Sequence, residues 1–156
     1  MIIAVLIIFG QGITTTSYFS PGSGRASEKK DHNLIGVSVK TLSVEAIIAR
    51  TPSERKRGLS RRESLPITSG MLFIFENKGN FGFWMKDMKF PIDIIWIDGE
   101  KRIVDIAANV RVEPDKKDRE LAVYKSQAEA LYVLEVNAGL SALHGLSIGD
   151  QVNFEL

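Results

Sequence analysis

The chain has 156 residues and no cysteine. This excludes disulfide bonds, a thiolate nucleophile, cysteine-ligated zinc, iron–sulfur clusters and an acylated lipoprotein cysteine. It also lacks an excess of charge of one sign, because 20 basic residues balance 19 acidic ones to a formal net charge of +1. A dedicated nucleic-acid-binding protein carries a strong positive excess, so we expect no nucleic-acid partner. The hydrophobic fraction of 44% is that of a globular protein with a single core.

Motifs that hold common cofactors are absent from the sequence. There is no glycine-rich phosphate loop, no dinucleotide fingerprint and no zinc-ligand spacing, so we predict no cofactor. Beyond the N-terminal region, His144 is the only histidine and leaves a Ser-His-Asp arrangement one possible base. Ser141 precedes it by three residues, but nothing around it resembles a nucleophile elbow.

A long hydrophobic run is also missing. The apolar segment at residues 1–13 is too short for a bilayer crossing, which needs roughly 17 to 25 residues, but it fits the core of an export signal or a truncated membrane anchor. No basic residue precedes it, and the alternative is a buried N-terminal strand. Residues 14–33 are rich in Ser, Thr and Gly and are typical of a linker. We therefore expect an exported, periplasmic or extracellular protein, possible membrane tethering, and an envelope ligand or protein as its partner.

Residues 34–156 read as a single β-rich domain with a formal charge of zero. Short apolar stretches separated by turn signals predict a mostly antiparallel sheet, barrel-like or sandwich-like, in the α+β class. A doubly wound parallel fold is disfavoured because long crossover helices are absent. Within residues 37–49 we predict a short strand at 37–39 and then a half-buried one, with Leu42, Val44, Ala46 and Ile48 at period two. The other predicted strands are 71–75, 81–85, 92–97, 102–108, 120–124, 131–136 and 152–156.

Two short helices are predicted between these strands. Thr51-Pro52-Ser53-Glu54 is a capping-box pattern, so the first helix should run from there to about Arg62. Residues 138–144, followed by Gly145, predict a second helix of one or two turns. Asp98-Gly99 between two apolar runs indicates a hairpin with a type I′ turn, and residues 77–80 indicate a second hairpin loop.

Five ordered motifs resemble the small bacterial and archaeal family called domain of unknown function 192. They are Glu54-Arg55-x-x-Gly58-Leu59, Gly70-Met71-Leu72-Phe73, Phe83-Trp84-Met85-Lys86, Pro91-Ile92-Asp93-Ile94-Ile95 and Leu134-Glu135-x-x-Ala138-Gly139. The resemblance covers nearly all of residues 37–156 and implies a compact, β-rich, barrel-like domain, often behind an export signal, with no established activity. Ser60 and Asp87-Met88 depart from the family's usual Met and Asn-Thr.

The two most informative side chains are acids within apolar strands. Asp93 interrupts Ile92-Asp93-Ile94-Ile95-Trp96-Ile97, and Glu135 interrupts a similar run. Such a carboxylate must be paired, hydrogen-bonded or protonated, because burial of an isolated charge costs several kcal/mol. We therefore expect cations close to both, either as structural ion pairs or as part of a polar ligand pocket at the end of the sheet. The predicted ligand-binding residues are Trp84, Lys86, Asp93, Glu135, Arg55 and Arg62, with Arg57 as a further candidate cation.

Two other functions stay open at this point. Asp93 with Glu135, or Asp87 with Asp93, could act as the paired carboxylates of a hydrolase, although no catalytic residue is assigned. Alternatively, Met71, Met85, Met88 and His144 form a set of soft ligands suited to Cu(I), for which core packing is the simpler explanation.

Overall fold

The computed structural model of the protein describes residues 33–156. The hydrophobic segment at residues 1–13 and all but the last residue of the predicted linker lie outside the described residues. From residue 33 onward, no helix combines the length and the apolar character that a bilayer crossing requires.

Strands dominate the described chain, which confirms the predicted β-dominated class with two short helices. The strands are β1 (Leu34–Val39), β2 (Leu42–Ala49), β3 (Ser69–Gly79), β4 (Gly82–Phe83), β5 (Ile92–Ile97), β6 (Ile103–Val110), β7 (Tyr124–Lys125) and β8 (Ala130–Asn137). The helices are α1 (Pro52–Arg57) and α2 (Leu140–Leu143), and Asp118–Glu120 form a turn of 3-10 helix.

Six strands form one sheet in the order β1-β2-β3-β8-β5-β6, and β4 pairs with β7 in a separate two-stranded ribbon. All pairs are antiparallel except β2 with β3. That parallel pair needs a crossover connection, which residues 50–68 with α1 supply. Helix α1 therefore follows directly on the C-terminal end of β2, and Gly58 at its end lies beside the Phe73 ring of β3.

The period-two pattern of the central strands gives the sheet two buried faces. On β5, Ile95 and Ile97 pack into one core cluster, while Ile94 and Trp96 pack into a second. Because both faces are covered, the arrangement is sandwich-like, and an acid on either face is removed from water.

The sheet is not closed into a barrel, so of the two predicted forms the sandwich-like one is correct. Edge strands β1 and β6 do not pair within the described chain. The C-terminal segment lies between them, with one isolated bridge from Asn153 to Ser38 and another from Gln151 to Arg102. The predicted strand at residues 152–156 is wrong for the same reason, because single bridges replace a continuous ladder.

Four local predictions also need correction. The strand predicted at residues 120–124 is not formed, because Glu120 ends the 3-10 turn and only Tyr124 joins β7. Helix α1 ends at Arg57, five residues earlier than predicted, because Gly58 leaves the helical conformation with φ of 50°. Strands β5 and β6 form the expected hairpin, but the positive φ lies at Lys101 and not at a type I′ turn of Asp98-Gly99. Residues 77–80 do not form a hairpin, because β4 pairs with β7 instead of returning along β3.

Candidate functional site

Asp93 is fully buried and is satisfied by four hydrogen bonds from neutral donors. Its Oδ1 accepts from the backbone N–H of Asn109 (2.7 Å) and of Gly139 (3.1 Å). Its Oδ2 accepts from the Ser141 backbone N–H (2.8 Å) and from the Ser141 hydroxyl (2.6 Å). The carboxylate thus occupies the N-terminal end of α2, where backbone N–H groups have no partner within the helix. Asp93 ties α2 and the end of β6 to the sheet.

Glu135 meets a different environment in the middle of β8. Its backbone neighbours across the sheet are Met71 on β3 and Ile94 on β5, both buried apolar residues. The residue is 6% exposed, and within residues 33–156 its carboxyl group has no hydrogen-bond or ion-pair partner. Removal from water raises the pKa of Glu135 from the ordinary 4.5 to about 8. The group is therefore mostly protonated at neutral pH.

The Glu135 side chain lines a cleft of about 270 Å³ whose wall is mainly aromatic. Phe75 and Phe81 are stacked with ring centroids 3.4 Å apart, and Phe73 meets Phe83 edge to face at 4.9 Å. Trp84, which is 44% exposed, lies at the same cleft. An apolar ligand surface can pack against these rings while Glu135 provides the deep polar contact.

Helix α1 forms the basic rim of this cleft. The predicted capping box is present, since the Glu54 backbone N–H donates to the Thr51 hydroxyl (3.2 Å) and the Thr51 N–H donates to the Glu54 carboxylate (2.8 Å). Arg55 donates to the carbonyl oxygens of Arg50 and Ile74, and its guanidinium lies 4.9 Å from the Phe75 ring centroid. Its role is thus largely structural.

Lys56 and Arg57, the next two residues of α1, are exposed and line the same cleft. In the described part of the chain neither forms a salt bridge. They are therefore available to an anionic group at the mouth of the cleft.

The predicted site is assembled only in part. Trp84, Glu135 and Arg55 meet at the aromatic cleft, whereas Asp93 faces the other side of the sheet.

The other predicted cations lie elsewhere. Lys86 lies 5.7 Å from the Trp84 ring centroid but forms its ion pair with Asp118. Arg62 does not line the aromatic cleft but a neighbouring cavity of about 340 Å³, which shares Arg57, Gly58 and Ser60 with it. Within residues 33–156 neither buried acid has the cation partner that we expected. Asp93 accepts hydrogen bonds from neutral donors instead, and Glu135 has no partner.

Of the four soft ligands proposed for Cu(I), the three methionines share one core cluster, but His144 lies elsewhere. Met71 and Met85 are buried in the second core cluster, and Met88 packs against it. His144 ends α2 and its Nδ1 lies 2.8 Å from the Thr41 hydroxyl, in the turn between β1 and β2. The methionines therefore pack as ordinary core residues here.

The arrangements considered for hydrolysis are not formed either. Asp93 and Glu135 face opposite sides of the sheet, so they cannot flank one scissile bond. Asp87 is exposed and lies 3.6 Å from the Arg61 guanidinium. The Ser141 hydroxyl donates to Asp93 and not to His144.

Most of the aromatic wall was not predicted from the sequence. Phe73 and Phe75 are two residues apart, as are Phe81 and Phe83, so each pair shares one side of an extended chain. That spacing was a usable signal. The spacing alone does not show that β3 and the segment around β4 both lie beside the Glu135 carboxyl group.

Comparisons with known proteins agree on one family. A family model named DUF192, described as an uncharacterized ACR, matches residues 35–154. A curated UPF0127 protein of Thermococcus gammatolerans is 28% identical over 111 residues, which cover 70% of this chain and 65% of that protein. The chain thus spans less than two thirds of the length of that relative.

Two crystal structures share the fold. A protein of unknown function from Novosphingobium aromaticivorans is 31% identical with a TM-score of 0.69, covering 77% of this chain and 84% of its own. A proposed transcription regulator from Sinorhizobium meliloti is 28% identical with a TM-score of 0.70, covering 78% of this chain and 93% of its own.

Proposed function

Because the chain belongs to the DUF192 family, whose description assigns no activity, we propose a function from the aromatic cleft itself. The domain binds a small polar ligand, or one unit of a polar polymer, and does so outside the cytoplasm. Binding, not catalysis, is the function that the side chains support. The cleft brings together one acid, aromatic rings and basic rim residues, without a second carboxylate beside the first among the described residues.

The observation that carries this proposal is the unpartnered Glu135 carboxyl at the cleft. Among residues 33–156 no fully buried side-chain oxygen or nitrogen lacks a hydrogen-bond partner, so the unpaired Glu135 carboxyl oxygens still reach the opening of the cleft. A polar group held in apolar surroundings without a protein partner is costly, and native proteins retain such groups mainly where they serve a function. Asp93 illustrates the alternative, since its surroundings supply four donors. Around Glu135 the fold supplies apolar neighbours and an opening, so a ligand group is the natural partner.

The size and composition of the cleft fit a small molecule. Its volume of about 270 Å³ is slightly below the roughly 300 to 1,000 Å³ of typical ligand pockets, which are mostly apolar with a few polar groups that fix orientation. Trp84 is exposed enough for a ligand to change its environment on binding.

The proposed location rests on the sequence alone. The apolar segment at residues 1–13, followed by a polar stretch, has the length of an export signal core. Fractionation of a bacterium that expresses the full chain tests it. We expect the protein in the envelope or medium, and retention in the cytoplasm for an Ile7→Asp variant; cytoplasmic wild-type protein would contradict the proposed location.

Ligand binding is tested by screening the full chain against amines, amino acids, sugars and cell-wall fragments, with thermal shift as the readout. A true ligand should raise the melting temperature of wild type and of Glu129→Gln, a matched control because Glu129 is exposed just before β8. The same ligand should have little effect on Glu135→Gln or Trp84→Ala. If no compound discriminates between these variants, the cleft is not a binding site.

A further inference from the structure

Charge in the aromatic cleft is arranged with the acid inside and the cations outside. Glu135 is 6% exposed and is the only acidic side chain that lines the cleft within the described residues. Lys56 and Arg57 are exposed at the rim on α1. A ligand that matches both must carry charges of opposite sign at its two ends.

The inner end of the cleft favours an ammonium group. The Glu135 carboxyl has no donor near it in residues 33–156, and a positively charged donor is the partner that stabilises its ionised form most. The surrounding aromatic side chains add to this preference, because their faces attract cations. The protein already uses this attraction at the edge of the cleft, where Arg55 lies over Phe75 and Lys86 over Trp84.

The rim disfavours a plain cation and favours an anion. Lys56 and Arg57 form no salt bridge in the described chain, although the Arg57 charge helps to lower the pKa of Glu54. An approaching amine without a negative group therefore meets a surplus of positive charge at the rim. Like-charge contacts of this kind act against the wrong partner, and opposite charges steer the right one.

Resting on the proposed function, we infer that the cleft selects a small zwitterion with an apolar body. The ammonium end lies against Glu135 and the aromatic rings, and the anionic end lies at Lys56 and Arg57. The apolar body packs between them along the phenylalanine wall.

Binding of this kind has a proton balance. With a pKa of about 8, Glu135 carries a proton at pH 7, and that proton must leave to solvent when an ammonium group pairs with the carboxylate. The neighbouring strands β3 and β5 present the apolar residues Met71 and Ile94 to Glu135, and burial alone raises its pKa. The charged residues that line the same cleft are Arg55, Lys56 and Arg57 of α1 within the described chain. The zwitterion should therefore release close to one proton per molecule bound, and its affinity should rise from pH 6 to pH 8.

The test is calorimetric titration of the full chain with three matched probes. These are 4-(aminomethyl)benzoate, benzylamine and benzoate, each titrated at pH 7 in two buffers that differ in heat of ionisation, so that released protons are counted. We expect 4-(aminomethyl)benzoate to bind about tenfold or more tightly than either singly charged probe, since about 1.4 kcal/mol corresponds to tenfold.

The variants assign each end of the ligand. Glu135→Gln should remove the preference for the zwitterion over benzoate and abolish proton release, while Glu129→Gln should retain both. Lys56 and Arg57 are both exposed, so we expect the double variant Lys56→Gln/Arg57→Gln to fold normally. It should lose the preference for 4-(aminomethyl)benzoate over benzylamine. Equal affinity for all three probes, tightest binding of benzoate, or binding without proton release would overturn the inference.

Failure of this inference can be told from failure of the proposed function. If none of the three probes binds but the broad screen yields a ligand whose effect is lost in Glu135→Gln, the cleft is a site for another chemical class and the zwitterion is wrong. If the probes and the screen are both silent, both proposals are wrong.

Discussion

Asp93 and Glu135 lie on neighbouring antiparallel strands, one register position apart, and their carboxyl groups face opposite sides of the sheet. Asp93 pairs across the ladder with Val136, and Ile94 pairs with Glu135. Residues directly opposite in a ladder share a face, so this offset separates the two acids completely. Asp93 therefore stabilises the fold through hydrogen bonds, whereas Glu135 lines the aromatic cleft.

The anchoring role of Asp93 predicts a large loss of stability in Asp93→Asn. The amide keeps one acceptor oxygen but replaces the other with an N–H₂ donor, so either the N–H groups of Asn109 and Gly139 or that of Ser141 would lose their acceptor. We expect the free energy of unfolding to fall by about 3 kcal/mol or more, measured by urea denaturation.

A graded control is available in Ser141→Ala. It removes only the hydroxyl donor at 2.6 Å and keeps the backbone donors, so it should cost about 1 to 2 kcal/mol. An Asp93→Asn variant no less stable than Ser141→Ala would contradict the anchoring role.

Glu135 predicts an unusual dependence of stability on pH. Its folded pKa of about 8 lies above the ordinary 4.5, so between these values the folded state holds a proton that the unfolded state has released. Stability from this group is present below pH 4.5 and is lost as pH rises towards 8. Relative to Glu135→Gln, the wild-type free energy of unfolding should fall by up to about 1.4 kcal/mol per pH unit in that window.

The measurement is urea denaturation of both proteins at intervals from pH 4 to pH 9. Subtracting the two curves removes the contribution of every other titrating group. A difference that stays flat across the range, or rises with pH, is incompatible with a buried, unpaired acid.

Gly58 predicts a specific backbone requirement at the cleft. Its φ of 50° and ψ of −138° end α1 and turn the chain beside the Phe73 ring, where an added Cβ would lie 3.5 Å from Cζ. Space is sufficient, so the cost of Gly58→Ala comes from the backbone and should be about 1 to 2 kcal/mol.

Gly36→Ala is the matched control for that variant. Gly36 lies in β1, has no positive φ, and an added Cβ would meet nothing within 4 Å. The free energy of unfolding of Gly36→Ala should fall by no more than about 0.5 kcal/mol, and a small increase is also consistent with the account. Equal losses in the two variants would mean that the Gly58 conformation is not what matters.

Much of the local structure could be predicted from the sequence. The strand at Ile92–Ile97 and the capping box at Thr51 follow from patterns that are complete within a few residues. The location of Glu135 in an apolar row also indicated burial correctly. Such features depend on local periodicity and local hydrogen bonding, which the sequence displays directly.

The partners of the two acids could not be predicted in this way. The donors to Asp93 come from Asn109, Gly139 and Ser141, which are 16 to 48 residues away. Periodicity says that an acid lies within an apolar row, but the strand order decides whether backbone donors or an open cleft faces it. For the same reason the expected cations beside Asp93 were replaced by neutral N–H groups.

The most direct measurement is an NMR titration of the Glu135 side-chain carboxyl carbon in the full chain, followed from pH 3 to pH 10. An unpartnered acid at the aromatic cleft predicts a titration midpoint near 8, well above that of the exposed Glu129 in the same sample. A Glu135 midpoint near 4.5 would mean that water or a cation already satisfies the group, and the account of the cleft would be wrong.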